Sequence, residues 1–377
     1  MSLPYKQYID RRLEGKRKID DVPVGIDING LLVEKFRSFW VAAGEMESGF
    51  LGDAARRKKV ENPVYVCGLA RAGTTLLLET LYRTGNFAAH SYRFYPYIDI
   101  PVIWDRWIRL SKGGRILEPR QRGHLDLLDI TPDSPEAMEE MIWMYFFPRA
   151  HDPGVSNILG PAARRAAFDS YYTAHIRKLL HIFGKDRYLA KGNYNLTRIP
   201  YLLSLFPDAR FIVPVRRAEA HIGSLMKQHY LFTKIEQSDP RAKRYTRRVG
   251  HFEFGLNRTP INCGDGAAVA EIQKCWRDGD EVRGWALYWA MIHRYIHESI
   301  LGDEKISPRV KIVPYEDLCA RPKKIMKDVT DFCGAGATAF AQPVAAPDYY
   351  AAGFSAAESE TIKSITFETE ALFYQKS

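Results

Sequence analysis

The residues best placed by type and spacing to do chemistry sit in four short motifs, each directly after an apolar run. The first is Gly68-Leu69-Ala70-Arg71-Ala72-Gly73-Thr74-Thr75. Two glycines enclosing four residues match the spacing of a phosphate-binding loop, in which Gly-x-x-x-x-Gly is followed by Lys and then Ser or Thr. Glycines let the backbone wrap an oxyanion, amide N–H groups point inward, and the helix that follows adds the positive end of its dipole. The loop departs from the nucleotide-triphosphatase pattern at one place, where Thr74 stands instead of the Lys that reaches the β- and γ-phosphates. Arg71, inside the loop, supplies the cation. The chemistry indicated is capture of a phosphate or sulfate group rather than hydrolysis of ATP or GTP.

The second motif follows Ala209-Arg210-Phe211-Ile212-Val213-Pro214-Val215, which ends in Arg216, with Ser224 eight residues further on. An Arg guanidinium offers a planar fork to a phosphate dianion, and a Ser in the next helix adds a hydroxyl bond. The competing reading is an Arg paired with a carboxylate and a surface Ser. The third motif is Lys191, after Arg187-Tyr188-Leu189-Ala190. The fourth is Tyr315-Glu316-Asp317-Leu318, after Val310-Lys311-Ile312-Val313-Pro314. Tyr315 suits either a ligand ring or the core.

Apolar runs rich in β-formers, separated by helical stretches, predict an α/β fold: a three-layer sandwich of P-loop type with a central, mostly parallel sheet and extra helices. Ligands of such sheets bind beyond the carboxyl ends of the strands. Arg71, Lys191, Arg216 and Tyr315 are therefore expected to converge on one crevice. Residues 1–60 read as a helical N-terminal extension, and Leu31-Leu32-Val33, Phe36, Phe39 and Trp40 form a stripe expected to pack into the core. Residues 61–377 read as the α/β domain, with a helical or loop insertion at about 227–281. That insertion carries Arg241, Lys243, Arg244, Arg247 and Arg248, and is either a solvated face or a lid that helps choose a substrate.

Of 377 residues, 46% are hydrophobic and 26% charged, with a net charge of +9. The basic excess favours nucleic acid, acidic lipid, polyanions or a phosphorylated small molecule, unless it is only the sum of a mixed surface. The five cysteines are scattered with no Cys-x-x-Cys pair, which argues against a disulfide framework or a zinc site and fits a reducing compartment. The polar start and the lack of any apolar run of bilayer length predict a soluble, cytoplasmic protein with no membrane span.

The segment from Gly68 to Glu79 resembles the 5′-phosphosulfate-binding loop of the sulfotransferases that use 3′-phosphoadenosine 5′-phosphosulfate (PAPS). It is most similar to the bacterial and tyrosylprotein-sulfotransferase-like branch, whose loop reads Gly-x-Pro-Arg-Ser-Gly-Thr-Thr. Ala70 and Ala72 replace Pro and Ser, which preserves a backbone cradle and removes one hydroxyl. The segment from Phe206 to Leu225 looks like the family's 3′-phosphate-binding segment, and Val310 to Leu318 resembles a third landmark. The resemblance runs from about residue 62 to 335.

The resemblance implies PAPS as donor, 3′,5′-adenosine bisphosphate as product and no metal. It places Arg71, Ala72, Gly73, Thr74 and Thr75 on the 5′-phosphosulfate, Arg216 and Ser224 on the 3′-phosphate, and Tyr315 near the adenine. Arg71 and Lys191 then stabilise the leaving group. One branch of the family takes its base two residues after the Lys, where this chain has Asn193. The closer branch uses a carboxylate soon after the loop helix, where Phe87 to Arg93 offers His90 and no acid. His90 is therefore the first candidate base, followed by Glu139 and Glu140 and then His124. A core His and first-turn helix acids are the structural alternatives.

The acceptor stays open among small molecules, glycans and peptides, as does the oligomeric state. Tyr92, Phe94, Tyr95, Tyr97, Trp104 and Trp107 line a pocket for a ring-bearing acceptor or else belong to the core. The competing functions are an ATP-dependent small-molecule kinase, which leaves Arg216 and Ser224 without a task, and a non-catalytic binder of polyanions or nucleic acid, with nucleic acid not expected. A protein that keeps the fold without turnover is a further alternative.

Overall fold

Val64, Tyr65 and Val66 are all buried, as befits a strand paired on both edges and covered on both faces. They form β1 at the centre of the sheet. The computed structural model describes residues 6–7, 9–10, 22–112, 120–121, 129–130, 133–336 and 353–374. In chain order the elements that matter for the site begin with α1 (Val24–Lys35), α2 (Arg37–Phe50), β1 (Val64–Val66) and α3 (Thr74–Tyr82). Next come β2 (Phe87–Ala88), α4 (Pro101–Lys112), α5 (Glu140–Phe146), α6 (Ala166–Phe183), β3 (Arg187–Lys191) and β4 (Arg210–Val215). They end with α7 (Ala218–Ser238), α8 (Pro240–Arg248), α9 (Glu281–Tyr295), β5 (Val310–Pro314) and α10 (Ala356–Ala371).

The five strands lie in the order β2-β3-β1-β4-β5 and every pairing is parallel. Val66 is level with Lys191 on one side and Ile212 on the other. The chain leaves β1 toward β2 on one side and returns through β4 on the other, so a crevice opens beyond the end of β1. The fold is the α/β sandwich expected from the sequence. One core layer joins Tyr65, stacked on Phe211 at 5.5 Å, to an aromatic cluster around Trp143, Phe168 and Tyr172. The other packs Val64 and Val66 against Leu77, Leu78 and Leu81 of α3. A separate two-stranded pair, Arg120–Gln121 with Asp129–Ile130, is antiparallel.

Two expectations change. The stripe on residues 31–40 does not enter the core as a unit: Val33 is buried and Trp40 half-buried, but Leu31, Leu32, Phe36 and Phe39 are exposed. The α1 helix docks through its polar side instead, which leaves those apolar side chains outward. The basic run from Arg241 is also not a loose solvated stretch. It forms α8, where Asp27 of α1 pairs with Arg244 at 2.5 Å and Arg248 at 2.8 Å. Glu34 pairs with Arg247 at 2.8 Å and with Arg248 at 2.9 Å. The Arg248 side chain is only 2% exposed, a cation that two carboxylates from one helix make tolerable in the interior.

Candidate active site

The loop between β1 and α3 bends through three residues of positive φ: Gly68 at 141°, Arg71 at 69° and Gly73 at 100°. For Arg71 this is a strained conformation of the sort that concentrates at functional sites. Backbone bent in this way is the kind that gathers amides around an anion. Gly73 caps α3, so the helix N-terminus opens onto the same space. A Cβ at Gly73 would lie 2.8 Å from Cδ2 of Tyr315, which makes glycine necessary there for space as well as for φ.

Two buried groups brace the loop from behind. His221 Nε2 donates to Ala70 O at 2.8 Å, with its tautomer set by Trp289 Nε1 donating to His221 Nδ1 at 3.2 Å. Burial, with His293 next to it, holds the His221 imidazole well below its ordinary value, so it stays a neutral support. The first turn of α7 is fixed by α10, since Ala218 N donates to Glu370 Oε2 at 2.8 Å.

At the loop's outer end the second and fourth motifs arrive together. Arg216 Nη1 donates to Arg71 O at 3.2 Å, and its guanidinium lies 4.6 Å from the centre of the Tyr315 ring. Arg71 Nε donates to Ser224 Oγ at 3.4 Å. Arg216 Nε is buried with no hydrogen-bond partner among the described residues. Burial pulls the Arg216 guanidinium below its ordinary value. A buried cation with an unfilled donor is a site prepared for an anion.

At the inner end, Lys191 Nζ lies 3.3 Å from Glu136 Oε1, and both side chains are almost wholly buried. Glu136 is held by Ala137 N at 2.8 Å and by the Tyr92 hydroxyl, and its own amide donates to His90 O at 3.0 Å. An open pocket, about 310 Å³ with its solvent-filled mouth included, brings Arg71, Thr74, Thr75 and Lys191 to face Asn193, His251, Glu253 and Phe254. A second, of about 350 Å³, continues past Lys191 between Glu139, Glu140 and Tyr194 on one side and Gly250, His251 and Glu253 on the other.

The opposite wall carries a hydrogen-bonded pair. His251 Nδ1 is 3.3 Å from Glu253 Oε2, and Asn193 Nδ2 donates to Glu253 Oε1 at 2.6 Å. Burial works to raise the Glu253 carboxyl, but His251 and the bond from Asn193 outweigh it and keep it below its ordinary value. Glu139 behaves in the opposite way. Burial lifts its carboxyl to about 7 while Tyr172 and Tyr188 both donate to its Oε1 at 2.5 Å. Glu140 is buried as well, but Arg198, with bonds of 2.9 and 2.6 Å, and His151 bring it down to about 2.

The structure therefore brings Arg71, Gly73, Thr74, Thr75, Lys191, Arg216, Ser224 and Tyr315 to one crevice, with Glu139 at its inner end. The fully buried Ala72 contributes backbone, its amide turning back to Leu69 O at 3.4 Å. His90 is not brought there. Its ring is buried against His175, with the two Nε2 atoms 2.9 Å apart, lines neither cavity, and is held by burial down to about 3. His124 lies outside the described residues. None of the aromatic residues between Tyr92 and Trp107 lines either cavity. Glu136, His251 and Glu253 were not anticipated. His251-Phe252-Glu253 had a signal, since alternate residues of an extended segment share a face.

Comparison with curated proteins finds no match. Among solved structures, a sulfotransferase of Mycobacterium avium, STF9, is 15% identical with a TM-score of 0.49, covering 90% of this chain and 83% of that one. A sulfotransferase of Mycobacterium tuberculosis, STF1, is 14% identical with a TM-score of 0.42, covering 91% and 86%. The profile of the Sulfotransferase family matches residues 63–258, a span that holds the phosphate loop, Lys191, Arg216, Ser224 and the His251–Glu253 wall. On that match, the chain belongs to the sulfotransferase family.

Proposed function

We propose that this sulfotransferase takes its sulfuryl group from PAPS and passes it to a hydroxyl or amine held against the His251–Glu253 wall. The observation that carries the reading is the pocket in which phosphate-loop side chains and Lys191 face a hydrogen-bonded His and Glu. The chain's residues fit the donor. The orphaned Arg216 Nε and the neighbouring Ser224 suit a terminal phosphate, and the positive-φ loop under α3 suits a second anionic group. Tyr315, stacked on Arg216 beside Gly73, offers a ring edge to a base.

When bound, PAPS supplies an activated sulfuryl group and 3′,5′-adenosine bisphosphate as the leaving group. The loop amides, Arg71, Thr74 and Thr75 orient the sulfonated end, while Arg216 and Ser224 anchor the other phosphate. Lys191 places positive charge where charge builds on the leaving oxygen, the type of preorganised stabilisation that dominates such transfers. Glu136 holds that ammonium in place. His251, oriented through Nδ1 by the ionised Glu253, takes the proton of the acceptor. His90 is set aside as the base because its ring does not reach the crevice. The unpaired cysteines fit the cytoplasmic location.

The test measures thermal stability with 3′,5′-adenosine bisphosphate, ATP and 5′-AMP, on wild type, Arg216→Ala and His251→Asn. A ligand at one hundred times its dissociation constant adds about 2.7 kcal/mol. The expected result is stabilisation by the bisphosphate, lost in Arg216→Ala and kept in His251→Asn. With PAPS and a panel of hydroxyl and amine acceptors, His251→Asn should turn over at least a hundredfold more slowly. Stabilisation by ATP instead sinks the donor assignment, and wild-type turnover by His251→Asn sinks the assignment of the base.

A further inference from the structure

Arg216 and Tyr315 follow directly on β4 and β5, neighbouring strands in which Val215 is level with Pro314. The residues flanking them are bonded to one short segment, from Glu370 near the end of α10 to Tyr374 just beyond it. Glu370 Oε2 accepts from Ala218 N at 2.8 Å, and its Oε1 accepts from Arg217 Nη1 at 3.1 Å. The Tyr374 hydroxyl donates to Glu316 Oε2 at 2.6 Å and lies 3.2 Å from Val215 O. Glu316 Oε1 accepts from Arg217 N at 3.0 Å, and the Arg217 guanidinium lies 4.4 Å from the centre of the Tyr374 ring. Two side chains thus secure the backbone on both sides of Arg216 and the residue next to Tyr315.

The segment is firmly seated. Ile362, Thr366 and Thr369 of α10 are buried, and Phe373 meets His293 of α9 edge-on at 5.7 Å. His293 in turn stacks on Trp289 at 3.8 Å. Trp289 is the residue that sets the His221 tautomer, and His221 holds Ala70 O of the phosphate loop. The same stretch of chain therefore stands behind the loop and behind the turn that carries Arg216.

Arg216 has reason to need that support. Its buried guanidinium is bonded to the backbone of a second arginine, Arg71, and like charges brought together ahead of an anion push each other apart. The nearest relief is Glu316, whose charge is felt at Arg216. Both oxygens of Glu316 are already engaged, one by Arg217 N and the other by the Tyr374 hydroxyl. A carboxylate released beside Arg216 would take the guanidinium that a phosphate is meant to take, because the two anions suit the same donor fork. Keeping that carboxylate occupied keeps the cation ready, and a site prepared in advance binds more tightly than one that must first give up an internal partner.

We infer that Tyr374 and Glu370 are positioning residues for the donor: Tyr374 holds Glu316 off Arg216, and Glu370 fixes the turn from β4 into α7. The inference rests on the reading of Arg216 as a phosphate anchor. Neither residue reaches the ligand, and both lie well beyond residue 258, where the match to the family ends. The tail of the chain thereby becomes part of what sets donor affinity.

The test is calorimetric titration of the full chain with 3′,5′-adenosine bisphosphate. Tyr374→Phe keeps the ring on Arg217 and removes only the hydroxyl, and it should weaken the ligand about fivefold or more. Glu370→Ala should do the same, whereas Glu370→Gln, which keeps an oxygen for Ala218 N, should bind within about twofold of wild type. Tyr374→Phe with Glu316→Gln removes the released charge and should recover most of the loss, which general loosening of the fold would not do. Wild-type affinity in both Tyr374→Phe and Glu370→Ala overturns the inference, as does a loss in Tyr374→Phe that Glu316→Gln leaves in place. If wild type itself fails to bind the bisphosphate, the donor reading falls and takes this inference with it. If wild type binds, Arg216→Ala does not and the tail variants match wild type, the donor reading stands and this inference alone falls.

Discussion

Glu139 is where the structure makes its clearest demand on pH. Its carboxyl is buried at the inner end of the crevice, accepts two tyrosine hydroxyls and ionises near 7 rather than at the ordinary 4.5, chiefly because burial disfavours the anion. An unfolded chain releases this proton near 4.5 and the folded chain keeps it until about 7. The group's contribution is therefore fully present below 4.5 and is lost as pH rises through 7. A displacement of that size corresponds to about 3 kcal/mol in total, of which about 2 to 3 kcal/mol falls between pH 5 and 8. Glu139→Gln keeps an oxygen for Tyr172 and Tyr188 and removes the titration. Urea unfolding of both proteins at pH 5, 6, 7 and 8 should show the variant gaining about 2 to 3 kcal/mol on wild type across that range. If the two stability curves run parallel, Glu139 is ionised in the folded protein throughout and the account of the inner cavity fails.

Two further expectations concern the donor side. Glu136→Gln leaves Lys191 buried without its counter-charge, which should lower the unfolding free energy by about 3 kcal/mol. The same variant should be stabilised more than wild type by 3′,5′-adenosine bisphosphate, because the ligand restores the missing negative charge; urea titrations with and without ligand check both. Gly73→Ala forces a Cβ into a φ of +100° and to within 2.8 Å of Tyr315. It should cost about 1–2 kcal/mol of stability from the backbone alone, read by urea unfolding. By moving the ring that covers Arg216, it should weaken the bisphosphate at least tenfold in a calorimetric titration.

The phosphate-loop side of the crevice was legible because its parts are written contiguously. A buried parallel strand needs an unbroken apolar run, and a phosphate loop needs its glycines and cation within a few residues of that strand's end. Val64 to Thr75 and Phe211 to Ser224 display both, so the sheet and the meeting of Arg71 with Arg216 and Ser224 could be foreseen. The stripe from Leu31 to Trp40 misled for a definite reason. Helical spacing of apolar residues says that a face exists, and whether protein or something else covers it depends on how the helix docks. Here Asp27 and Glu34 seat α1 on α8 by charge, and the apolar side is left outward.

His251 and Glu253 were missed because nothing local ties them to the loop they face. Their position follows from α8, which precedes them, and α8 is held in turn by carboxylates more than two hundred residues earlier. Arg248, buried between Asp27 and Glu34, cannot shift without leaving a charge unpaired in the interior, so the segment from Val249 to Glu253 starts from a fixed point. Asn193 then ties Glu253 to the segment that carries Lys191. The segment from Val249 to Glu253 is thus fastened at both ends, one to α1 through α8 and the other to the strand end that bears Lys191. The basic residues that look in sequence like a polyanion surface act instead to anchor the segment that carries His251 and Glu253, so α1, outside the span matched by the family, helps to position one wall of the crevice.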